Sequence, residues 1–265
     1  MEVLTLLGKT LLLRPYVFIF LAIALLAARR LLGPLRTALF FLITWATAFT
    51  CEYTSTRIGF PFGWYVYTGA TRGQELYLSN VPFIDSLSFT FLLFTSYCLA
   101  LFFTLSAAGR RFRILMFDDP AVRTSGSVLV LSTLFLVLMD VVIDPVALRG
   151  DRWFLGKIYY YPEPGIHFGV PIANYLGWAV VGLVALGLYQ QLDRLFPHTT
   201  PPDENIAHKL LAGCALYYLV LAFNLGVAFG IGEPLIGITG MLIHLPITVL
   251  LLVKMAGRLP APLRE

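Results

Sequence analysis

Seven apolar runs, each close to the length needed to cross a bilayer, constrain this chain more than any other feature. They fall at approximately 10–28, 36–57, 83–107, 126–145, 171–192, 207–229 and 235–255 of 265 residues. A helix that spans the hydrocarbon core needs roughly 20 apolar residues. The runs therefore predict an all-α fold, a polytopic integral membrane helical bundle of about seven transmembrane helices. What is left over suffices for loops but not for a further soluble domain, so residues 1–265 are expected to form a single integral membrane domain. Composition agrees: 58% of the residues are hydrophobic and 13% charged, against about 45–50% and about 25% in soluble domains. A water-soluble globule, a disordered chain and a fibrous one are all excluded.

The formal net charge is +4. A basic balance can signal nucleic acid, but here Lys and Arg cluster beside the apolar runs, as the positive-inside rule expects. No basic stripe interleaved with aromatics occurs on a polar segment. The expected partner is membrane lipid and not nucleic acid. One set of loops carries 12 Lys and Arg residues and the other 7. This predicts a multi-pass protein of the cell (inner) membrane with its N-terminus outside and its C-terminus cytoplasmic. The first run lacks a small-residue cleavage signature and is expected to be a retained helix. Cys51, Cys98 and Cys214 each lie in an apolar run without C-x-x-C spacing, and read as small buried hydrophobes.

Two loops, 58–82 and 146–170, are long and rich in Gly, Pro, Tyr and Trp. Loops of this length often act as lids or binding loops, and the seven-span plan puts both on one side. Each carries a G-x-x-F-G pentapeptide, at 59–63 and at 165–169, a pattern open to reading as an internal repeat or as coincidence. The loops on the other side, 108–125 and 193–206, are plainer. Asp118-Asp119-Pro120 reads there as a solvated turn, and His198 and His208 as surface positions.

An ionisable residue in a membrane helix is costly and is a functional candidate by default. Glu52 ends the second run, Asp85 starts the third, Asp140 and Asp144 end the fourth and Asn174 starts the fifth. Because the spans alternate in direction, all of these fall at one end of the bundle, beneath the two aromatic loops. Asn224 and Glu233 fall in the same half, and of the polar groups only His244 approaches the middle.

Asp140 and Asp144 stand at i and i+4 and so share one helical face. Two chemistries suit such a pair. It can hold Mg²⁺ against a substrate diphosphate, or it can keep one carboxyl protonated at neutral pH. The metal reading needs a second acidic cluster and basic residues for the phosphates. The other acidic doublet, Asp118-Asp119, lies across the membrane, so acid catalysis without a metal is preferred. Pro145 biases Asp144 away from helical geometry, which predicts a helix break there. Asn174 is placed to orient a water or a carboxyl. Trp64, Tyr65, Tyr67, Trp153, the run Tyr159-Tyr160-Tyr161, Phe168 and Trp178 offer π-faces that suit a cation, or else anchor the protein at the interface. His167 reads as an acid, a base or a hydrogen-bond donor. A carboxylic acid ringed by aromatics suits protonation of an alkene to a carbocation.

The segments Glu52…Gly59-Phe60-Pro61-Phe62-Gly63-Trp64-Tyr65-Val66-Tyr67, Val81-Pro82, Asp140…Asp144-Pro145 and Phe168-Gly169-Val170-Pro171…Asn174…Gly177-Trp178 together resemble the CruF-type carotenoid biosynthesis proteins. These are integral-membrane carotenoid 1′,2′-hydratases of the bisanhydrobacterioruberin hydratase type. The sequence departs from that pattern after Asp144-Pro145, where the family is denser in Trp and only Trp153 remains, at His167, where the family commonly carries Tyr, and at Asp85. The resemblance implies hydration of the terminal C1′=C2′ double bond of an acyclic carotenoid ψ-end, with no redox cofactor and with other carotenoid biosynthesis enzymes as partners. Joined to the residues above, it implies that Asp140 or Asp144 protonates C2′. Trp64, Tyr65 or Trp178 would stabilise the C1′ cation, and Glu52 or Asn174 would position water. Tyr67, Asp85, Trp153, His167 and Phe168 would complete the substrate site. Three other readings stay open at this point: a lycopene-type cyclase using the same cation, a Mg-dependent intramembrane prenyltransferase, and a non-enzymatic carotenoid or lipid carrier.

Overall fold

A computed structural model of the protein describes residues 2–110, 113–196 and 205–256. Its helices are α1 (Glu2–Leu13), α2 (Pro15–Leu32), α3 (Pro34–Ile58), α4 (Phe83–Thr104), α5 (Pro120–Arg123), α6 (Gly126–Ala147), α7 (Ile172–Asp193), α8 (Ala207–Gly230) and α9 (Pro234–Met255). Seven of them, all but α1 and α5, are long and apolar enough to cross a membrane. The protein is thus an all-α polytopic membrane bundle. Its short strands are β1 (Val66–Tyr67), β2 (Tyr77–Leu78), β3 (Val81–Pro82), β4 (Ala107–Arg110), β5 (Arg113–Met116) and β6 (Tyr159–Tyr160), paired as three two-stranded ribbons.

α4 forms the centre, packed against α2, α3, α6 and α8. Its apolar residues face other helices on nearly every side, and Phe94, Tyr97, Leu99 and Leu101 are fully buried. α8 closes on it at Gly213, where a Cβ would lie 2.3 Å from the Cys98 sulfur. Small residues at such crossings let helix backbones approach in lipid. Cys98 and Cys214 are buried free thiols.

Proline and glycine set most of the boundaries. Pro15, Pro34 and Pro234 occupy first-turn positions, where a missing N–H costs nothing. Gly59 closes α3 in the left-handed conformation at φ 74. The first span accordingly runs Pro15–Leu32 and not 10–28, because the chain breaks at Arg14 between α1 and α2. Arg14 is held there by a buried ion pair. Its Nη2 lies 3.0 Å from Glu75 Oε1, both side chains are fully buried, and Nη1 donates to the Leu155 carbonyl at 2.6 Å. One arginine thus ties the helix junction to both long loops. Removing one partner of a buried pair costs about 3–5 kcal/mol. Arg14→Leu is expected to lower the thermal unfolding midpoint in detergent sharply, and Arg14→Leu/Glu75→Leu to recover much of the loss. A single variant as stable as the wild type would remove this role.

Two expectations need correction, and one open reading gains a structural description. α6 does not break at Asp144 but continues through Pro145 to Ala147. Proline removes only the N–H that would reach the Val141 carbonyl, and Nε2 of His167 lies 3.2 Å from that oxygen. Asp118-Asp119-Pro120 is not a solvated turn. Asp118 is buried and paired with Arg123, whose Nη2 donates at 2.8 Å, while Asp119 caps α5 through Ala121 N at 2.9 Å. The two G-x-x-F-G segments do different work: Gly59 caps a helix at positive φ, whereas a Cβ on Gly165 would meet the Val170 carbonyl at 2.1 Å. His208 is exposed, and His198 lies outside the described residues.

Candidate active site

The loops between α3 and α4 and between α6 and α7 meet over one end of the bundle. β1 pairs antiparallel with β6, Val66 opposite Tyr160 and Tyr67 opposite Tyr159. Side chains alternate along such a ribbon. Tyr65, Tyr67, Tyr159 and Tyr161 therefore point inward, while Trp64, Val66 and Tyr160 point out. Beneath the ribbon lies a cavity of about 150 Å³, lined by residues of α2, α3, α4, α6, α7, α8 and both loops. A single water needs only about 10–15 Å³, so a branched hydrocarbon end group and a water fit together. The lining is mainly aromatic and aliphatic. Its acidic members are Glu52, Asp85 and Asp144, and neither Lys, Arg nor His occurs among the described residues that line it.

One wall is built on α6 and α7. The Asn174 amide donates to Asp140 Oδ2 at 2.8 Å and to Asp144 Oδ2 at 2.7 Å. Tyr159 and Tyr161 donate to the two Asp144 oxygens at 2.9 and 2.8 Å. Burial, and then the charge of Asp144, hold both phenols well above their ordinary range, so they stay O–H donors. Asp144 reaches the cavity. Asp140 sits behind it, fully buried, joined to it through the Asn174 amide, its Oδ1 without a hydrogen-bond partner among the described residues.

The facing wall comes from α3 and α4. Ser86 donates to Glu52 Oε2, and the Tyr67 hydroxyl interacts with both Glu52 and Asp85. The structure therefore assembles a second acidic pair at the cavity from residues 33 positions apart in sequence (85 − 52). Between the walls stand Tyr65 and, deeper, Phe89 stacked on Trp178 with ring centroids 4.0 Å apart. Gly177 on α7 makes room for Phe62, which a Cβ would meet at 2.2 Å. Trp153 closes another side, its indole N–H donating to the Val146 carbonyl at 3.1 Å.

Of the residues singled out from the sequence, Glu52, Tyr65, Tyr67, Asp85, Asp144, Trp153, Tyr159, Tyr161, Asn174, Trp178 and Asn224 line the cavity. Trp64 does not. It is 59% exposed, and it precedes inward-facing Tyr65 in the chain that leads into β1. His167 and Phe168 also lie outside, on the far side of α6, where Phe168 packs against Val146, Ala228 and Ile236. Glu233 pairs with Arg149 at 3.1 Å outside the cavity. His244 lies deeper, bonded to Tyr217 at 3.2 Å. Tyr159 and Tyr161 were legible as an aromatic run but not as ligands of Asp144; the signal was the alternation about exposed Tyr160. Phe89 and Phe223 carried no signal beyond hydrophobicity.

Fold and site together define a multi-pass membrane protein with a buried, aromatic chamber edged by carboxyl groups. The chain belongs to the carotenoid biosynthesis protein family, whose model matches residues 12–246. It is similar to the bisanhydrobacterioruberin hydratase of Haloarcula japonica, 34% identical over 139 residues. That alignment takes in 52% of this chain and 39% of the relative's length. No solved structure matches.

Proposed function

We propose that this protein hydrates the terminal C1′=C2′ double bond of an acyclic carotenoid ψ-end, acting as a carotenoid 1′,2′-hydratase without a cofactor. The observation that carries the reading is Asp144, a carboxyl held by three donors at the wall of a mainly aromatic and aliphatic cavity whose described lining includes no basic side chain. A diphosphate substrate would need cations there, whereas an alkene needs an acid and a surface that tolerates positive charge. Two carboxyls this close do not both ionise readily, so Asp140 and Asp144 hold one proton between them. The three donors satisfy Asp144 as the carboxylate, so the shared proton rests on Asp140 and reaches C2′ through Asp144, and the π-faces of Tyr65, Phe89 and Trp178 stabilise the tertiary cation at C1′. Water on the facing wall gives its oxygen pair to C1′ and its proton to Glu52. The net change is addition of one water, and the proton returns to the aspartate pair between turnovers. Asn174, committed to both aspartates, aligns them and leaves water to Glu52. Residues 1–265 act as one membrane domain in the cell membrane, N-terminus outside.

The test is expression in a lycopene-producing bacterium, with extracted pigments read by mass spectrometry. The expected product is heavier than its substrate by one water, and its formation by purified protein is insensitive to EDTA. A product of unchanged mass with a shortened chromophore would make the protein a cyclase. Pigment bound but unaltered would make it a carrier.

A further inference from the structure

The loop before α7 makes a contact with α6 that the hydration chemistry above does not use. Pro145 has no N–H, so within α6 the carbonyl of Val141 loses its partner four residues on. In a membrane interior such a carbonyl must find another donor. His167 supplies it, with Nε2 3.2 Å from Val141 O. The acceptor is a carbonyl, so Nε2 carries the proton. The loop is itself tightly specified. Phe168 sits at φ 52, a left-handed value uncommon outside glycine, and Gly169 at φ 95. Val170 N donates to His167 O at 2.9 Å, and Arg149 Nη1 bridges the Phe168 and Pro145 carbonyls at 2.9 and 3.0 Å. The imidazole is braced by the rings of Phe168 and Tyr175, with centroids 4.8 and 5.8 Å away.

Val141 is flanked by Asp140, and the turn it belongs to carries Asp144. The segment holding His167 leads directly into α7 and Asn174. We propose that His167 is a positioning residue: its Nε2–H replaces the backbone bond that Pro145 removes, and so locks the Asp140–Asp144 turn of α6 in register with Asn174 at the start of α7. The imidazole does not line the cavity and acts through the geometry of the two carboxyls. The kinetic consequence rests on the hydratase reading; the structural one does not.

His167→Phe keeps an aromatic ring against Phe168 and Tyr175 but has no donor. A misplacement of about 1 Å can cost about 10²-fold in rate, and a loss of that order in kcat is expected, with KM unchanged. The decisive variant is His167→Phe/Pro145→Ala, which restores a backbone N–H to Val141 O and is expected to recover most of the lost kcat. In protein labelled with ¹⁵N-asparagine, the Asn174 side-chain amide signal is expected to move in His167→Phe and to return in the double variant. An Asn174 signal unmoved by His167→Phe, or a moved one that the double variant fails to restore, overturns the proposal whether or not the wild type hydrates carotenoid. Absence of hydration by the wild type, with the amide signals behaving as expected, sinks the reaction and leaves the positioning role standing.

Discussion

Asp144→Asn is expected to reduce hydration by about 10²–10⁴-fold, the range set by loss of a positioned general acid, while folded protein accumulates at the wild-type level. The asparagine has the same shape. Its carbonyl oxygen still accepts from one of the three donors that now converge on the carboxylate, Tyr159, Tyr161 and Asn174. What it lacks is a proton to give to an alkene. Asp140→Asn is the informative companion. Asp140 is fully buried and absent from the cavity wall, but its replacement removes the carboxyl that shares the proton with Asp144, so a loss of similar order is expected. Pigment mass spectrometry against protein quantity measures both. Wild-type turnover by Asp144→Asn would remove that residue from the acid's role; equal, near-complete loss in both would make the pair a single unit.

Much of this site is legible in the sequence. Alternating spans put Glu52, Asp85, Asp144 and Asn174 at one end of the bundle, and all four line one cavity. Depth along a helix follows from counting residues, because a rise of 1.5 Å per residue is invariant. Azimuth was harder to read. Asp140 and Asp144 share a face by spacing, yet only the second reaches the cavity, since that depends on how α7 packs against α6. Trp64 and Tyr65 are adjacent and both aromatic; a two-residue ribbon with β6 decides which one faces in. Pro145 looked like a stop. It became an interior residue because a histidine 22 positions later (167 − 145) supplies the missing donor. Such partners are distant in sequence, and local propensity carries no trace of them.

Glu52→Gln is expected to separate the two halves of the reaction. Glu52 lies on α3 and Asp144 on α6, facing walls of one chamber. The glutamine keeps the hydrogen-bond acceptor that Ser86 uses but takes no proton from attacking water. Hydrated product is expected to fall by about 10²-fold, whereas protonation of the alkene continues. In D₂O the two variants then diverge. The C1′ cation formed by Glu52→Gln loses a proton and returns to alkene, so deuterium enters the recovered carotenoid although little water is added. Asp144→Asn never forms the cation, and its recovered carotenoid stays unlabelled. Loss of both hydration and deuterium exchange in Glu52→Gln would place Glu52 on the protonating side of the chemistry. Undiminished hydration would leave water to the neighbouring Asp85, which shares the Tyr67 hydroxyl with it. The distinction matters because the cation is common to hydration and cyclisation, and what the facing wall presents to it decides which product leaves the chamber.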